Sequence, residues 1–140
     1  MATYLVTGGC GFIGSNIVEH LVNTGETVRV LDDLSTGKRE NLSGFKDRVE
    51  LIEGSLLDTC AVKRAVGGMD YVLHQAALPS VQRSVEDQIT SNRVNVDGMV
   101  ILLNESRLAG VKRVVYAASS SAYGDQQAPV KTEKLLPMPK

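Results

Sequence analysis

Three regularly spaced glycines near the N-terminus form a pattern that can hold a phosphate. Gly8, Gly11 and Gly14 have the spacing G-x-x-G-x-x-G, directly after an apolar run, and a helical pattern begins at Phe12. Such a turn lets the backbone approach a pyrophosphate, and the N-terminus of the next helix offers free N–H groups. A simple tight turn between a strand and a helix is the alternative interpretation. The strand before and the helix after favour phosphate binding.

An acidic pair stands where a ribose-binding carboxylate is expected. Asp32 follows Gly14 by 18 residues, at the end of a second apolar run. A carboxylate there accepts hydrogen bonds from ribose hydroxyls and repels a 2′-phosphate, which favours NAD over NADP. Asp33 is interpreted either as a second contact or as a solvated loop residue. Lys38 and Arg39 follow closely enough in sequence to reduce the repulsion of a phosphate.

The elements that position these residues alternate between short apolar runs and longer helical patterns. Near-continuous apolar strands are typical of parallel sheets covered by helices on both faces. The sequence therefore predicts an α/β, Rossmann-type doubly wound parallel sheet over residues 1–140, incomplete at about five strands, with the order 3-2-1-4-5. The predicted strands are Tyr4–Thr7, Thr27–Leu31, Val49–Glu53, Tyr71–His74 and Val114–Ala117, and the predicted helices are Phe12–Thr24, Thr59–Val66 and Ile89–Ala109.

The last predicted helix and the residues after it carry two further expectations. Val96, Val100, Leu103 and Leu108 recur near one face of the helix, which predicts that this face packs on the sheet. From Gly124 onward the apolar periodicity stops, which predicts a loop. We therefore expect the chain to be an N-terminal fragment of a longer protein.

Composition and charge exclude several classes of function. The chain has 15 Lys and Arg against 16 Asp and Glu, so a nucleic-acid partner is not expected. No apolar run approaches the roughly 18 residues of a membrane span, and the N-terminus has no secretory pattern. Cys10 and Cys60 form neither a metal-ligand spacing nor a disulfide framework. These features predict a cytoplasmic protein with reduced thiols and no metal or membrane partner.

Six ordered motifs together resemble one protein family. They are TGGCGFIG (7–14), DDLSTG (32–37), HQAA (74–77), SVQRSVED (80–87), NVDG (95–98) and AASSSAYG (117–124). This set resembles the NAD-dependent epimerase/dehydratase family, the extended branch of the short-chain dehydrogenases/reductases. Within the family it is most similar to UDP-hexose 4-epimerases of the UDP-N-acetylhexosamine type. Related dehydratases carry an acidic pair where this chain has Ser120 and Ser121, which counts against dehydration.

The resemblance implies a set of residues that bind NAD. Phe12 and Ile13 are expected to close over the pyrophosphate, and Asn95 to be mostly structural. Relatives usually carry Asp at position 55, where it bonds the adenine amino group. Ser55 accepts such a bond without charge, which predicts a modestly lower affinity for adenine. The implied cofactor-binding residues are Gly8, Gly11, Phe12, Ile13, Gly14, Asp32, Asp33, Ser35, Thr36, Gly37, Ser55, Leu56, Gln75, Ala76, Ala77 and Asn95.

The resemblance also implies residues near a UDP-sugar substrate. Ser119 matches the catalytic serine that hydrogen-bonds the 4-oxygen of the sugar, and its alternative interpretation is a strand-end serine bonded to the backbone. Ser80, Arg83 and Ser120 are expected near the sugar nucleotide, although Ser120 also fits a purely structural role. Tyr123 is interpreted as a packing or wall residue. His74 is expected to be a hydrogen-bonded core histidine and His20 a helix-surface residue.

The catalytic Tyr-x-x-x-Lys pair of the family does not occur within residues 1–140, and we expect it shortly after Lys140. The resemblance therefore implies the NAD-binding portion of a UDP-sugar 4-epimerase that is a homodimer at full length and acts through a transient 4-keto sugar. The chain alone is expected to be inactive and only marginally stable. Two alternatives remain. One is another nucleotide-sugar enzyme of this branch, a decarboxylase, dehydratase or reductase, and the other is a non-catalytic NAD-binding module.

Overall fold

One parallel sheet forms the centre of the molecule. The computed structural model describes residues 1–78, 81–125 and 130–138, and only the backbone of Val81 and Arg83. Within them the strand order is β3-β2-β1-β4-β5 and all four neighbouring pairs are parallel, so the predicted topology is confirmed. The strands are β1 (Thr3–Thr7), β2 (Thr27–Asp32), β3 (Val49–Glu53), β4 (Tyr71–His74) and β5 (Arg113–Tyr116).

Helices connect the strands and lie on both faces of the sheet. Gly25, Gly68 and Gly110 follow three of them with positive φ, the conformation that glycine adopts without strain. The helices are α1 (Phe12–Asn23), α2 (Thr59–Val66), α3 (Val81–Glu86), α4 (Gln88–Asn92) and α5 (Gly98–Leu108), with single 3₁₀ turns at Arg39–Leu42, Lys46–Arg48 and Ser120–Tyr123. Within the described residues no helix is long and apolar enough to cross a membrane.

Two apolar cores hold these layers together. Neighbouring strand residues point to opposite faces, so Leu5 packs with α2 and Leu102 while Val6 packs with Val18 of α1. Both faces of the central strands are therefore covered, as their near-continuous apolar sequences predict. Because the strands are parallel, the carboxyl ends of β1 to β4 meet at one edge, and the loops that leave them are brought together there.

The last predicted helix differs from the structure. The segment predicted as one helix over Ile89–Ala109 contains α4, a single π-helical turn at Arg93–Asp97, and α5. The apolar residues expected to face the sheet are exposed by 44–62%, so that prediction is wrong: Val96, Val100, Leu103 and Leu108. The wider π turn changes the angular register between the two helical pieces. The buried face instead carries Gly98, Leu102, Glu105 and Ser106.

Arg29 fastens α2 to the sheet. Its Nη1 donates to the carbonyl oxygens of Arg64, Ala65 and Gly67 at 3.2, 2.9 and 2.8 Å, and its Nε donates to Glu50 at 2.7 Å. The last carbonyls of a helix have no partner within the helix, and a cation there also favours the helix dipole. Arg29 therefore fixes the C-terminal end of α2 against β2.

Candidate functional site

A cleft of about 280 Å³ lies at the carboxyl ends of β1 to β4. It brings together every predicted cofactor-binding residue except Asn95. Their contact with NAD itself stays a prediction. Leu31, Gly54, Leu78 and Val94 add to the wall without having been predicted. The lining residues are Gly8, Gly11, Phe12, Ile13, Gly14, Leu31, Asp32, Asp33, Ser35, Thr36, Gly37, Gly54, Ser55, Leu56, Gln75, Ala76, Ala77, Leu78 and Val94.

The first and third glycines of the loop are required by close backbone approach. Gly8 has φ +67°, and a Cβ atom there would lie 2.7 Å from the Ala76 nitrogen. A Cβ atom on Gly14 would lie 2.1 Å from the Gly8 carbonyl oxygen. At Gly11 the nearest atom would be 3.3 Å away, so that position is tight rather than closed. The loop folds this way because glycine allows the start of α1 to pack on the turn itself.

The N-terminus of α1 opens into the cleft without a cap. No side chain accepts from its first amides, and its first turn carries no acidic residue. The unpaired N–H groups and the positive end of the helix dipole therefore favour an anion beside Gly11–Gly14. Phe12 and Ile13 are 84% and 61% exposed at the mouth of the cleft. Two large apolar side chains are thus available to cover a bound group.

Asp32 connects the end of β2 to the glycine loop. Its Oδ2 accepts from the Cys10 amide at 2.9 Å, and its Oδ1 accepts from the Leu34 amide at 2.9 Å. The residue is 7% exposed. A carboxylate offers about four lone-pair positions, so two bonds to the backbone leave others for ribose hydroxyls. The sequence predicts that Asp32 accepts from ribose hydroxyls. It does not predict the two bonds that Asp32 accepts from the backbone.

The peptide carbonyl of Cys10 is held from the same side. Its oxygen accepts from the Lys38 amide at 3.0 Å and from Nδ2 of Asn41 at 2.8 Å. Burial raises the pKa of the Cys10 thiol to about 11, and the negative charge of Asp32 adds to the shift. The thiol therefore stays protonated at neutral pH. The glycine loop and the loop after β2 are joined into one wall through this residue.

Thr7 and His74 join the ends of β1 and β4. The Thr7 hydroxyl oxygen lies 2.6 Å from His74 Nδ1 and accepts from the Ala76 amide at 3.3 Å. A hydroxyl can donate to a bare Nδ1 or accept from an Nδ1–H group, so the pair is a hydrogen bond in either tautomer of the neutral imidazole. Burial lowers the pKa of His74 and favours the same neutral form. His74 is thus a hydrogen-bonded structural side chain, as the sequence predicts.

Asn95 acts on the cleft through Leu78. Its Oδ1 accepts from the Leu78 amide at 2.8 Å, and its Nδ2 donates to the Leu78 carbonyl oxygen at 3.3 Å. Leu78 lines the cleft, whereas Asn95 does not. The expectation of a mostly structural asparagine fits these contacts. Asn95 and Leu78 are 17 residues apart in sequence, so no periodic pattern predicts their pairing.

Ser119 and Ser120, two of the residues predicted to contact the sugar, do not line the cleft. Ser119 is exposed, and its Oγ donates to Ser121 Oγ at 2.9 Å and accepts from the Ser121 amide at 3.1 Å. Ser120 is exposed as well, and its carbonyl oxygen accepts from Nζ of Lys131 at 3.2 Å. Ser80 lies outside the described residues, and Arg83 is described only by its backbone in α3. Among the described residues no cluster of His, Cys, Asp or Glu could hold a metal ion.

The fold and the cleft define a Rossmann-type dinucleotide-binding unit: a parallel sheet, a glycine turn at an uncapped helix N-terminus, and a carboxylate at the next strand. The chain belongs to the NAD dependent epimerase/dehydratase family, which matches residues 4–140. The family resemblance inferred from the motifs is therefore confirmed, and so is NAD as the cofactor on which the family depends.

Three relatives illustrate the similarity. A UDP-glucose 4-epimerase of Mycolicibacterium smegmatis is 41% identical over 89% of this chain and 41% of its own length. A UDP-N-acetyl-alpha-D-glucosaminuronate decarboxylase of Bacillus cytotoxicus is 34% identical over 89% of this chain and 39% of its own. The crystal structure of the Thermus thermophilus UDP-glucose 4-epimerase with NAD is 41% identical, with TM-score 0.85 over 99% of this chain and 45% of that chain. The chain thus spans about two fifths of the curated relatives' length.

Proposed function

We propose that this chain binds NAD in the cleft and is the NAD-binding portion of a UDP-sugar 4-epimerase. The observation that supports this most is the continuity of the cleft across four strand ends. It runs from Ser55 after β3, past Asp32 and the glycine loop, to Gln75 after β4. An extended dinucleotide has its parts in the same linear order: base, ribose, pyrophosphate and nicotinamide.

Each part of the cleft has a chemistry that suits one part of NAD. The amides of Phe12, Ile13 and Gly14 would hold the pyrophosphate, and the remaining lone pairs of Asp32 would accept from the adenosine ribose. Ser35, Thr36 and Gly37 line the same side of the cleft, and Gln75, Ala76 and Ala77 line the opposite end. Phe12 and Ile13 would shield the pyrophosphate from water. NAD, when bound, supplies a reversible hydride acceptor for carbon 4 of a sugar.

Ser119 has a role in this proposal that requires a change of partner. A hydroxyl can donate to one oxygen while accepting from another, which suits a proton leaving the 4-hydroxyl of a sugar. In the structure this hydroxyl is bonded to Ser121 instead. Both residues are exposed at the end of β5, so a substrate oxygen can replace the Ser121 hydroxyl. Ser80, Arg83 and Ser120 are proposed as neighbours of the sugar nucleotide.

The substrate, assembly and location are proposed on the same basis. A UDP-sugar is supported by the names of the relatives. The full-length protein is proposed to be a homodimer, which the exposed apolar side of α5 supports. A cytoplasmic location is supported by the free thiols of Cys10 and Cys60. We propose residues 1–140 as an NAD-binding domain that does not epimerise a sugar by itself, because Tyr-x-x-x-Lys is not within them.

A sugar-nucleotide decarboxylase of the same family is the second candidate. The similarity to the decarboxylase of Bacillus cytotoxicus favours it, and it would use the same NAD cleft. Ser120 and Ser121 stand where dehydratases of the family carry acidic residues, which disfavours dehydration. The chemistry that separates an epimerase from a decarboxylase depends on the sugar-binding part of the protein.

Calorimetric titration of the purified chain with NAD tests the proposal. We expect saturable binding with one site, and a loss of at least tenfold in affinity for Gly14→Ala, whose Cβ would collide with the Gly8 carbonyl oxygen. Gly44→Ala is the matched control, because nothing lies within 4 Å of its Cβ position. Denaturant unfolding without NAD shows whether each variant is folded. Absence of binding to the folded wild-type chain, or equal affinity in the Gly14 variant, would contradict the proposal.

A further inference from the structure

An ion pair stands beside the proposed ribose site but outside the lining of the cleft. Glu53 is the register partner of Asp32 across the parallel β2–β3 pair. Neighbouring strands lie only about 4.8 Å apart, and register partners project from the same face of the sheet. Nη2 of Arg39 is bonded to Oε2 of Glu53 at 2.5 Å. Arg39 is thus held at the edge strand, next to the end of β2.

Two further observations place these charges at the same site. The charges of Asp32, Arg39 and Glu53 all act on the Cys10 thiol, so all three lie near the glycine loop. The segment that carries Arg39 is fixed there, because the Lys38 amide donates to the Cys10 carbonyl oxygen at 3.0 Å. Arg39 therefore follows a residue whose backbone is bonded to the glycine loop.

Whether the guanidinium of Arg39 is free or paired affects whether a dinucleotide with a 2′-phosphate can bind beside Asp32. A 2′-phosphate would occupy the position of the ribose hydroxyl beside Asp32, and a nearby guanidinium is the usual way to accept that phosphate. In this structure the guanidinium is bonded to a carboxylate instead, and Glu53 adds a second negative charge next to Asp32. A phosphate entering there would meet two carboxylates and an arginine whose charge is already compensated.

We propose that Glu53 is a specificity-determining residue of the dinucleotide site, which excludes a 2′-phosphate by holding Arg39 in an ion pair. This inference rests on the proposed function, because it requires that the ribose of a dinucleotide lies at Asp32. It goes beyond the proposed function by assigning a role to two residues outside the lining of the cleft. The side chains are 60% and 57% exposed, so the pair is weak and a single substitution releases Arg39.

Titration calorimetry with NAD and NADP, which differ only in the 2′-phosphate, tests the inference on four chains. They are the wild type, Glu53→Ala, Arg39→Met and the double variant. For Glu53→Ala we expect NADP to bind about three- to fivefold tighter than to the wild type, as the loss of an exposed ion pair allows, with the affinity for NAD within twofold of the wild type. The double variant should lose most of that gain, because most of it requires the released guanidinium. Glu40→Ala is the matched control for removing an exposed carboxylate next to Arg39 in sequence, and it should leave both affinities within twofold.

The outcomes separate this inference from the proposed function. Failure of the wild-type chain to bind NAD overturns the proposed function and the inference together. NAD binding with no gain of NADP affinity in Glu53→Ala overturns the inference alone. An equally large gain in the double variant also overturns it, because the removal of negative charge would then account for the whole effect.

Discussion

Asn41 lies outside the cleft yet holds one of its walls through the Cys10 carbonyl oxygen. Asn41→Ala should weaken NAD binding about fivefold, because the glycine loop then loses one of its two bonds to the loop after β2. The free energy of unfolding without NAD should fall by about 1 kcal/mol, the typical net contribution of one hydrogen bond. Calorimetry and urea unfolding measure the two effects. Asn23→Ala removes an exposed side-chain bond to Arg48 and is the control, with unchanged NAD affinity. Equal NAD affinity in both variants would contradict this role.

His74 predicts a pH dependence of stability. Burial lowers the pKa of His74 in the folded chain below its ordinary 6.5, so the folded state favours the neutral ring. The stabilisation is fully present above pH 6.5 and is lost progressively as the pH falls from 6.5 toward the lower pKa of the folded state. Urea unfolding at pH 7.5 and at pH 5.5 should show lower stability at pH 5.5. The variant His74→Asn should show a smaller difference. An unchanged difference in stability between the two pH values in His74→Asn would contradict the assignment.

At the level of single residues, the sequence predicts side chains whose role follows from backbone geometry or from charge at a strand end. Gly8, Gly14 and Asp32 belong to this group, because spacing alone places them at one edge of the sheet. Asn41 and the Cys10 peptide could not be predicted. Their bond joins two loops whose relative position is fixed only after β1 and β2 have paired. The pairing of Glu53 with Arg39 could not be predicted either, because it depends on the register between β2 and β3.

The attachment of α2 through Arg29 predicts an effect on the stability of a whole element. Arg29→Met keeps much of the apolar stem but removes bonds to three carbonyl oxygens and to Glu50. The loss should be about 2 kcal/mol in the free energy of unfolding, because hydrogen bonds from charged groups contribute about 1.5–3 kcal/mol. Arg29→Lys should recover only part of it, since an ammonium has no planar fork. Urea unfolding measures the change, and exposed Arg93→Met is the control. A loss below about 0.5 kcal/mol in Arg29→Met would contradict the assigned role.

At the level of elements, the strands and α1 and α2 agree with the sequence within one residue at each end. Apolar runs and terminal glycines mark these elements locally. The segment from Gln88 to Leu108 is not the single helix that the sequence predicts, because a π turn interrupts it. A periodic pattern of Val96, Val100 and Leu103 cannot show which side of the helix packs against α2. Small residues, Gly98 and Ser106, mark the buried side instead.

For the whole molecule, the exposed side of α5 and the edge strand β5 predict self-association. Val100 and Leu108 are 61% and 62% exposed, and Val115 and Tyr116 on β5 are 50% and 58% exposed. Apolar patches of this kind are typical of surfaces that bind a partner. Sedimentation equilibrium should show a mass that increases with concentration for the wild type. Val100→Lys should remain monomeric at the same concentrations without a lower free energy of unfolding.

The control for this surface is Val85→Lys. Val85 is 68% exposed but lies on α3, so its substitution should leave the association unchanged. A wild-type chain that stays monomeric at millimolar concentration would contradict the prediction. Equal association of Val100→Lys and the wild type would place the contact elsewhere.

Mapping NAD onto the backbone amides of the chain tests the central proposal most directly. In ¹⁵N-labelled protein, addition of NAD should shift the amide resonances of Gly11–Gly14 most, with further shifts at Asp32–Gly37, Ser55 and Gln75–Ala77. The resonances of α5 and of Lys46–Leu51 should stay in place, because these segments lie outside the cleft. Saturable shifts confined to the four strand ends are the predicted result. Saturable shifts elsewhere without any at Gly11–Gly14, or no shifts at saturating NAD, would contradict the assignment of this cleft as the NAD site.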